Sequence, residues 1–557
     1  MDNYAIADNF SLLAKLIDIH GGDSFKAKSY SIAAYTIEQL PVQLSSLSPE
    51  KMYAVKGIGQ ATGKKITEQI ETGRLTALDD YINKTPAGIF DLLKIKGLGP
   101  KKIAVIWKEL GVESIGELLY ACEENRLLLY KGFGAKTQQN IEESIRFYMA
   151  SRGSYLYSQI EQYAHAFTKR LQKYFPANQF LITGDFNRNA EVIHKLEWVT
   201  NAAINALEAF FKEQEYAVNI SDTTLSVRGP DNVTLEFYFT ETDKLASELF
   251  IRNCSPEFFT AFTEKYGWNT ESDFSDEEQI FRQHHLQFIP PFLRETKQAL
   301  QQAATHTLPK VIQQKDIRGV IHTHSNWSDG GDTIEAMAQA AIQQGFEYLV
   351  ISDHSQSAFY AKGLYPDRIK AQHKLIDELN EKYKSFKILK SIESDILNDG
   401  SLDYPDNILA AFDLVIASVH ANLKMSEDKA MSRLLRAIAN PYTTILGHMT
   451  GRLLLSRNGY PVNHKVITDT CAKHNVAIEL NAHSRRLDMD WRHIPYAVEK
   501  GVLISIDPDA HAVDAFSDIK YGVLAAQKGG LAPANNVSSF TLKQFEDFLL
   551  KQREKRL

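Results

Sequence analysis

The chain has 557 residues, 44% of them hydrophobic and 24% charged, with a net charge of −7. That length exceeds what one core can bury and predicts three or four domains of about 150 residues, while the composition excludes wholesale disorder and a uniformly basic coat. Cys122, Cys254 and Cys471 stand far apart without a CxxC pair, which argues against a disulfide framework, and no run of about 18 apolar residues offers a membrane span.

Residues 1–20 read as an amphipathic helix, with Ile6, Phe10, Leu13 and Ile17 at helical spacing. The segment lacks the basic start and continuous apolar core of a signal peptide, so the expected location is cytoplasmic. Up to about residue 150 the pattern is short helices broken by three turns of one form: Val55-Lys56-Gly57-Ile58-Gly59, Ile95-Lys96-Gly97-Leu98-Gly99 and Tyr130-Lys131-Gly132-Phe133-Gly134. The turns recur at spacings of 40 and 35 residues, and each leads into a helix with lysines in its first turns: Lys64 and Lys65, Lys101 and Lys102, and Lys136. Paired glycines permit a tight turn whose N–H groups point outward at a helix N-terminus, where the dipole also favours an anion. A single such turn is as readily a corner as a phosphate site. Three copies predict helix-hairpin-helix segments gripping DNA backbone without sequence preference, and residues 51–110 hold 11 Lys and Arg against 6 Asp and Glu. A dinucleotide-binding fingerprint is excluded by the missing third glycine and the missing preceding strand.

Residues 151–310 read as mixed α and β, with strand-like runs at Phe180–Thr183 and Thr234–Phe239, and 301–314 as a polar helical connector. From Asp316 the texture becomes strand, loop, helix, repeated. Strand-like runs end at Ile321, Ile351, Ile392, Val419, Leu446, Leu480 and Ile506, which predicts parallel strands closed into a barrel. Eleven of the 17 histidines follow residue 315. His322 and His324, two apart on an extended segment, should face one side. Asp329 sits in the loop that follows, and His354, Glu393, His420, His448, Asp509 and His511 fall at or just past other strand ends, where barrel sites are built. Imidazole and carboxylate without thiolate suit Zn, Mn or Fe. His373, His464, His474 and His493 lie in helical patterns and read as packing or surface residues.

These motifs carry a resemblance. His322-Thr323-His324-Ser325 with Asp329-Gly330, Ser352-Asp353-His354-Ser355, Glu393-Ser394-Asp395, Ser418-Val419-His420, Gly447-His448-Met449-Thr450-Gly451-Arg452 and Pro508-Asp509-Ala510-His511 resemble the PHP (polymerase and histidinol phosphatase) domain. With Glu479-Leu480-Asn481-Ala482-His483, the glycine turns and Phe25-Lys26-Ala27-Lys28-Ser29-Tyr30, the likeness is closest to the PHP domain fused to bacterial family X DNA polymerases. The resemblance implies a multidomain α/β chain. It comprises a helical lyase-like domain over 1–80, helix-hairpin-helix fingers over 81–150, an α+β polymerase palm and thumb over 151–310, and a distorted (β/α)7 PHP barrel over 316–557. It also implies up to three divalent ions: one on His322, His324, Glu393 and Asp509, a second bridged by Glu393 to His420 and His448, and a third on Asp329, His354 and His511. Arg452 and Arg486 become candidates to clamp a substrate phosphate. Lys65 aligns with the lysine that forms a Schiff base with an abasic sugar in some family X lyase domains.

The palm departs from the family pattern. Gly184-Asp185-Phe186-Asn187-Arg188 stands where relatives grip the triphosphate with Gly-Ser and Arg, and Lys195, Glu197 and Glu236 occupy the positions of the three Mg²⁺-binding aspartates. An ammonium repels the ion that a carboxylate should hold, so Mg²⁺ binding and polymerase activity are expected to be lost. The expected function is a metal-dependent phosphodiesterase, a 3′–5′ exonuclease or 3′-end processing enzyme, acting as a monomer on gapped, nicked or 3′-ended DNA. The alternatives are an active gap-filling polymerase with the same nuclease domain and a small-molecule phosphatase.

Overall fold

In the computed structural model, which describes residues 3–556 except 39, 41, 56, 151–152 and 270–272, the chain divides into two units, Met1–Arg146 and Phe147–Leu557. The first is helical. Helix Asn3–Ile19 buries Ile6, Phe10, Leu13 and Ile17 along one stripe and packs on helix Ser24–Glu38, where Phe10 stacks on Tyr30 at 5.5 Å between ring centroids. The glycine turns enter helices Gln60–Thr72, Pro100–Lys108 and Ala135–Ala150. In each turn the first glycine is left-handed (Gly57, Gly97 and Gly132, at φ +96°, +88° and +96°), a conformation that a side chain would strain. The apolar residue between the glycines (Ile58, Leu98, Phe133) is buried and fastens the turn to the core.

The second unit carries, after helix Tyr157–Tyr174, a five-stranded sheet. Strands Phe180–Thr183, Lys195–Thr200, Thr234–Phe239, Thr224–Arg228 and Val218–Ile220 lie in that spatial order, and only Lys195–Thr200 and Thr234–Phe239 run parallel. Their core is aromatic, with Trp198 stacked on Phe237 at 5.1 Å. A helical segment follows, its Phe250, Phe258, Phe262 and Phe281 closing a second core. The expected helical connector over 301–314 is shorter than its polar pattern suggested. Helix Lys297–Ala304 stops there, His306 turns left-handed at φ +54°, and Pro309 follows, which cannot donate to a helix.

Seven parallel strands then form the barrel: β1 Gly319–Thr323, β2 Tyr348–Ile351, β3 Lys387–Asp395, β4 Leu414–Ser418, β5 Ile445–Leu446, β6 Ala477–Asn481 and β7 Ile504–Asp507. They pair in sequence order, and apart from the partly buried Lys387 and Lys390 of β3 their residues are buried on both faces, as parallel strands beneath helices must be. The ring is completed just past β7: the Ala510 N–H donates to the His322 carbonyl at 3.1 Å, and the His324 N–H to the Ala510 carbonyl at 2.8 Å. Helix Leu542–Glu554 plugs the opposite end, with Phe545 stacked on Tyr348 at 4.6 Å.

Candidate metal centre

Each of the nine expected ligands lies at or beyond the C-terminal end of a barrel strand, and all nine converge. Eight are buried, and the His420 side chain is only 5% exposed. Glu393, at the centre, is 1% exposed. Its Oε1 lies 2.9 Å from His448 Nε2, 3.1 Å from His420 Nε2 and 3.3 Å from His322 Nε2; its Oε2 lies 3.0 Å from His354 Nδ1 and 3.5 Å from His324 Nε2. Asp509 Oδ1 lies 3.1 Å from His324 Nε2 and 3.5 Å from His322 Nε2, and Asp329 stands 3.5 Å from both His354 Nε2 and His511 Nε2.

By donor-atom distance the side chains gather as His324, Asp329, His354 and His511; as His322, His324 and Asp509; and as His354, Glu393 and His420. His324 and His354 each belong to two of these groups, a sharing that the expected division among three ions did not contain. His322 and His324 also reach the centre differently from the simple alternation expected of a strand. β1 carries a register break between Val320 and Thr323, and His322 adopts φ +59° there, so the backbone re-aims the imidazole.

A cluster of this chemistry suits divalent metal. Several of its buried polar atoms have no hydrogen-bond partner among the described residues: His322 Nε2, both ring nitrogens of His324 and His354, Asp329 Oδ2 and Glu393 Oε2. A buried polar atom left unsatisfied costs about 1–3 kcal/mol, so such a concentration marks a cavity built around a ligand. Burial, reinforced by the neighbouring charges of His511 and His354, depresses the His324 pKa to about 3; burial and Arg486 bring His448 to about 3. Both rings are therefore neutral, the form that offers a lone pair. Burial opposes charge on His322, but Glu479, Asp509 and Glu393 overcome it and raise its pKa well above the usual range. Burial would likewise push Glu393 up, and His420, His322 and His354 hold it well below the carboxylate range instead.

Sequence reasoning missed the partners that aim these ligands. Glu479 on β6 contacts His322 Nδ1 and accepts the His448 N–H at 2.6 Å, and Asp395 on β3 sits 2.5 Å from His420 Nδ1. Each fixes the imidazole so that Nε2 turns to the centre. The signal was present at period two: Asp395 lies two residues beyond Glu393, and Glu479 two before Asn481, whose amide reaches Asp509 at 3.1 Å. Asp353 accepts the Ser325 N–H at 2.8 Å and the Gln372 amide at 2.6 Å, tying the loop that carries Asp329 to β2.

The two arginines part company. Arg486 is 4% exposed, with Nε 3.7 Å from Asp509 Oδ2, and so borders the centre. Arg452 is committed elsewhere, which corrects its reading as a phosphate clamp. Its guanidinium donates to Asp490 at 2.8 Å, to Glu191 of the sheet domain at 2.7 Å, to the Arg486 carbonyl at 2.9 Å and to the Leu487 carbonyl. It ties the barrel to the domain before it.

In the smaller sheet, Lys195, Glu197 and Glu236 do converge. Glu197 and Glu236 are register partners on the parallel pair, and Lys195 Nζ lies 2.8 Å from the first and 2.6 Å from the second, with the Tyr238 hydroxyl at 3.0 Å. Burial disfavours this ammonium, but the glutamates outweigh burial and hold its pKa above the lysine range. Gly184 is forced by the same packing, since a Cβ there would stand 1.9 Å from Glu197 Oε2. Asp185 pairs with Arg188, and Arg188 is further held by Glu295 at 3.3 Å and by the carbonyls of Arg252 and Cys254. Carboxylates neutralised by a resident ammonium do not fit Mg²⁺.

In the N-terminal unit, Lys64, Lys101 and Lys136 are exposed, Lys65 is half-buried, and Lys102 reaches back to the Gly97 carbonyl at 3.3 Å. Lys56 of the first turn lies outside the described residues. A Cβ on Gly59, Gly99 or Gly134 would meet nothing within 4 Å, so the fold leaves the backbone there open to close approach. No described helix is long and apolar enough to cross a membrane.

Comparison with known proteins agrees with this division. A helix-hairpin-helix domain model matches residues 1–75, a SAM-like helix-hairpin-helix tandem matches 89–146, and a PHP domain matches 321–483, stopping short of Asp509 and His511. The DNA polymerase/3′-5′ exonuclease PolX of Bacillus subtilis is 33% identical over 96% of this chain and 97% of its own. A probable phosphatase of Caldanaerobacter subterraneus is 29% identical over 35% of this chain and 77% of its own, and probable phosphatase YcdX of Escherichia coli 28% over 34% and 74%. With a relative matched from end to end and the hairpin and PHP models in the same order, the chain belongs to the bacterial family X DNA polymerases that carry a C-terminal PHP domain.

Proposed function

We propose that this chain is a metal-dependent DNA phosphodiesterase, a 3′–5′ exonuclease or 3′-end processing enzyme of DNA repair, whose palm has given up synthesis. The observation that carries the reading is the convergence of five imidazoles on the buried Glu393 carboxylate, with donor atoms left unsatisfied around it. Divalent ions there, up to three of Mn, Zn or Fe, would bring bound water towards a pKa of about 7 and supply positive charge beside a phosphodiester. The chain's own residues do the positioning. Glu393 would help to hold the ions, Glu479 and Asp395 orient His322 and His420, and Arg486 stands at the border to meet a phosphate oxygen. The glycine turns, with their lysines, hold the backbone of gapped, nicked or 3′-ended DNA; the working form is a cytoplasmic monomer.

Two other readings receive less support. Active polymerisation is opposed by Lys195, which fills the space between Glu197 and Glu236, and by Asp185, which occupies Arg188. A small-molecule phosphatase would resemble the relatives that align with only about a third of the chain, and it has no use for three DNA-type turns. The deciding experiment incubates metal-replete protein with a 3′-labelled oligonucleotide and, in parallel, with a phosphomonoester. Stepwise release of 3′ nucleotides, abolished in His322→Ala, is the expected result. Hydrolysis of the monoester alone would favour the phosphatase, and full nuclease activity in His322→Ala would overturn the assignment of the site.

A further inference from the structure

Loop 355–364 leaves β2 directly from His354 and is held rigidly against the metal centre. The Leu364 N–H returns to the His354 carbonyl at 2.8 Å, and the Ser355 N–H reaches the Glu393 carbonyl at 3.1 Å. Gly363 packs so closely on Ser355 that a Cβ would stand 1.8 Å from its carbonyl oxygen. Gln356 and Ser357 are pinned by the Tyr404 hydroxyl at 3.0 Å and by Asp403 at 2.7 Å. Ala358 and Ala361 are fully buried, yet Phe359 between them is 77% exposed, after Phe25 the most exposed large hydrophobic side chain among the described residues. Tyr365, one residue beyond Leu364, is 59% exposed. Tyr360 links this rim to the centre, its ring 5.9 Å from Phe359 and 6.3 Å from His354. An exposed Lys362 lies between the two aromatic residues.

A loop this firmly anchored has no need to hold aromatic rings in water for its own stability. Rings so placed beside a phosphoester site suit a ligand with flat apolar faces joined to phosphates. In a duplex each base face is covered by its neighbours, whereas an unpaired strand offers them. We propose that Phe359 and Tyr365 are stacking surfaces for the bases of a single-stranded 3′ end, holding it while its terminal phosphodiester enters the metal centre. The proposal rests on the phosphodiesterase reading above and adds to it the preferred substrate, an unpaired or frayed end, together with the residues that select it.

The test compares kcat/KM of the full-length protein, Phe359→Ala, Phe359→Trp and Tyr365→Ala on three substrates: a single-stranded oligonucleotide, the same sequence in a blunt duplex, and methyl p-nitrophenyl phosphate, a diester without a base. Stacking on one ring is worth about ten- to a hundredfold in binding. Phe359→Ala should therefore lose that factor on the single strand relative to its loss on the base-free diester, chiefly through KM, and Phe359→Trp should recover it. Equal losses on the oligonucleotide and the base-free diester, or no loss on the single strand, would overturn the stacking role while leaving the phosphodiesterase intact. Wild-type protein that cleaves neither diester would instead remove the phosphodiesterase reading, and the stacking proposal with it.

Discussion

Replacing Lys195 by methionine separates a palm held together by its own cation from one that synthesises DNA. The ammonium stands 2.6 Å from Glu236 and 2.8 Å from Glu197. At such separations and an effective dielectric of about 20, each pair has a Coulomb term of roughly 6 kcal/mol. The lysine side chain is 36% exposed, so solvent screening and side-chain entropy reduce this to about 1–2 kcal/mol per pair. Removing it also leaves two glutamates facing each other in register, and like charges so opposed repel. Lys195→Met should therefore lower stability by about 2–4 kcal/mol, read from the midpoint of denaturant unfolding. The same ammonium acts on a divalent ion with the opposite sign. About 4 Å apart, the repulsion is of order 8 kcal/mol at that dielectric, and even halved by solvent it costs about three decades in rate. Primer extension on a gapped template, with Mg²⁺ or Mn²⁺ and in a His322→Ala background so that degradation cannot mask synthesis, should be undetectable. It should remain so in Lys195→Met, because Asp185 still holds Arg188. Template-directed, dNTP-dependent extension with Lys195 in place would refute the reasoning, as would a Lys195→Met variant of undiminished stability.

Glu479→Gln keeps the shape of the side chain but removes the charge beside His322 Nδ1; metal affinity measured by competition with a chelator should fall about 10- to 100-fold. Replacing Lys64, Lys65, Lys101 and Lys102 together by alanine in the full chain should flatten the dependence of log K for DNA on log salt, by about 0.9 for each lysine that meets a phosphate. An unchanged slope would show that these lysines meet none. Arg452→Ala should destabilise the protein by roughly 1–3 kcal/mol by removing the bonds that tie Glu191 and the Arg486 and Leu487 carbonyls together, while Asp490 keeps Arg492 at 2.9 Å. It should leave kcat on a small diester close to wild type, whereas a phosphate clamp would lose kcat and keep its stability.

Much of the barrel was legible because parallel strands buried on both faces write themselves as continuous apolar runs, and each run here is followed within three residues by a His, Asp or Glu. The nine candidate ligands stood out because several sit where no packing argument wants a polar residue. What the sequence concealed was distance across the chain. Glu479 lies 157 residues from His322, and nothing local ties the two. Arg452 misled for the same reason: its partner Glu191 is 261 residues away, and without that contact a Gly-Arg at a strand end looks free for substrate. The break in β1 was hidden because no glycine marks it; His322 takes the left-handed conformation itself. The connector after Ala304 failed on a turn that polar composition does not announce.

The residues that complete the barrel's ring are also the ones that would carry metal. His322 and His324 stand on one side of the junction and Asp509 and His511 on the other, and the backbone bonds that join the sides run through Ala510 between the latter two. His322 and Asp509 are both left-handed non-glycine residues, at φ +59° and +52°, a conformation that costs of order 1 kcal/mol or more apiece. An ion drawing on both sides would act as a clasp on a hoop. Its binding energy would offset the bent backbone, and by linkage whatever favours the closed hoop would also tighten the hold on the ion. Loading and closure would then be one equilibrium, and a cell that withheld the metal would slacken the barrel at its join as well as silence its chemistry.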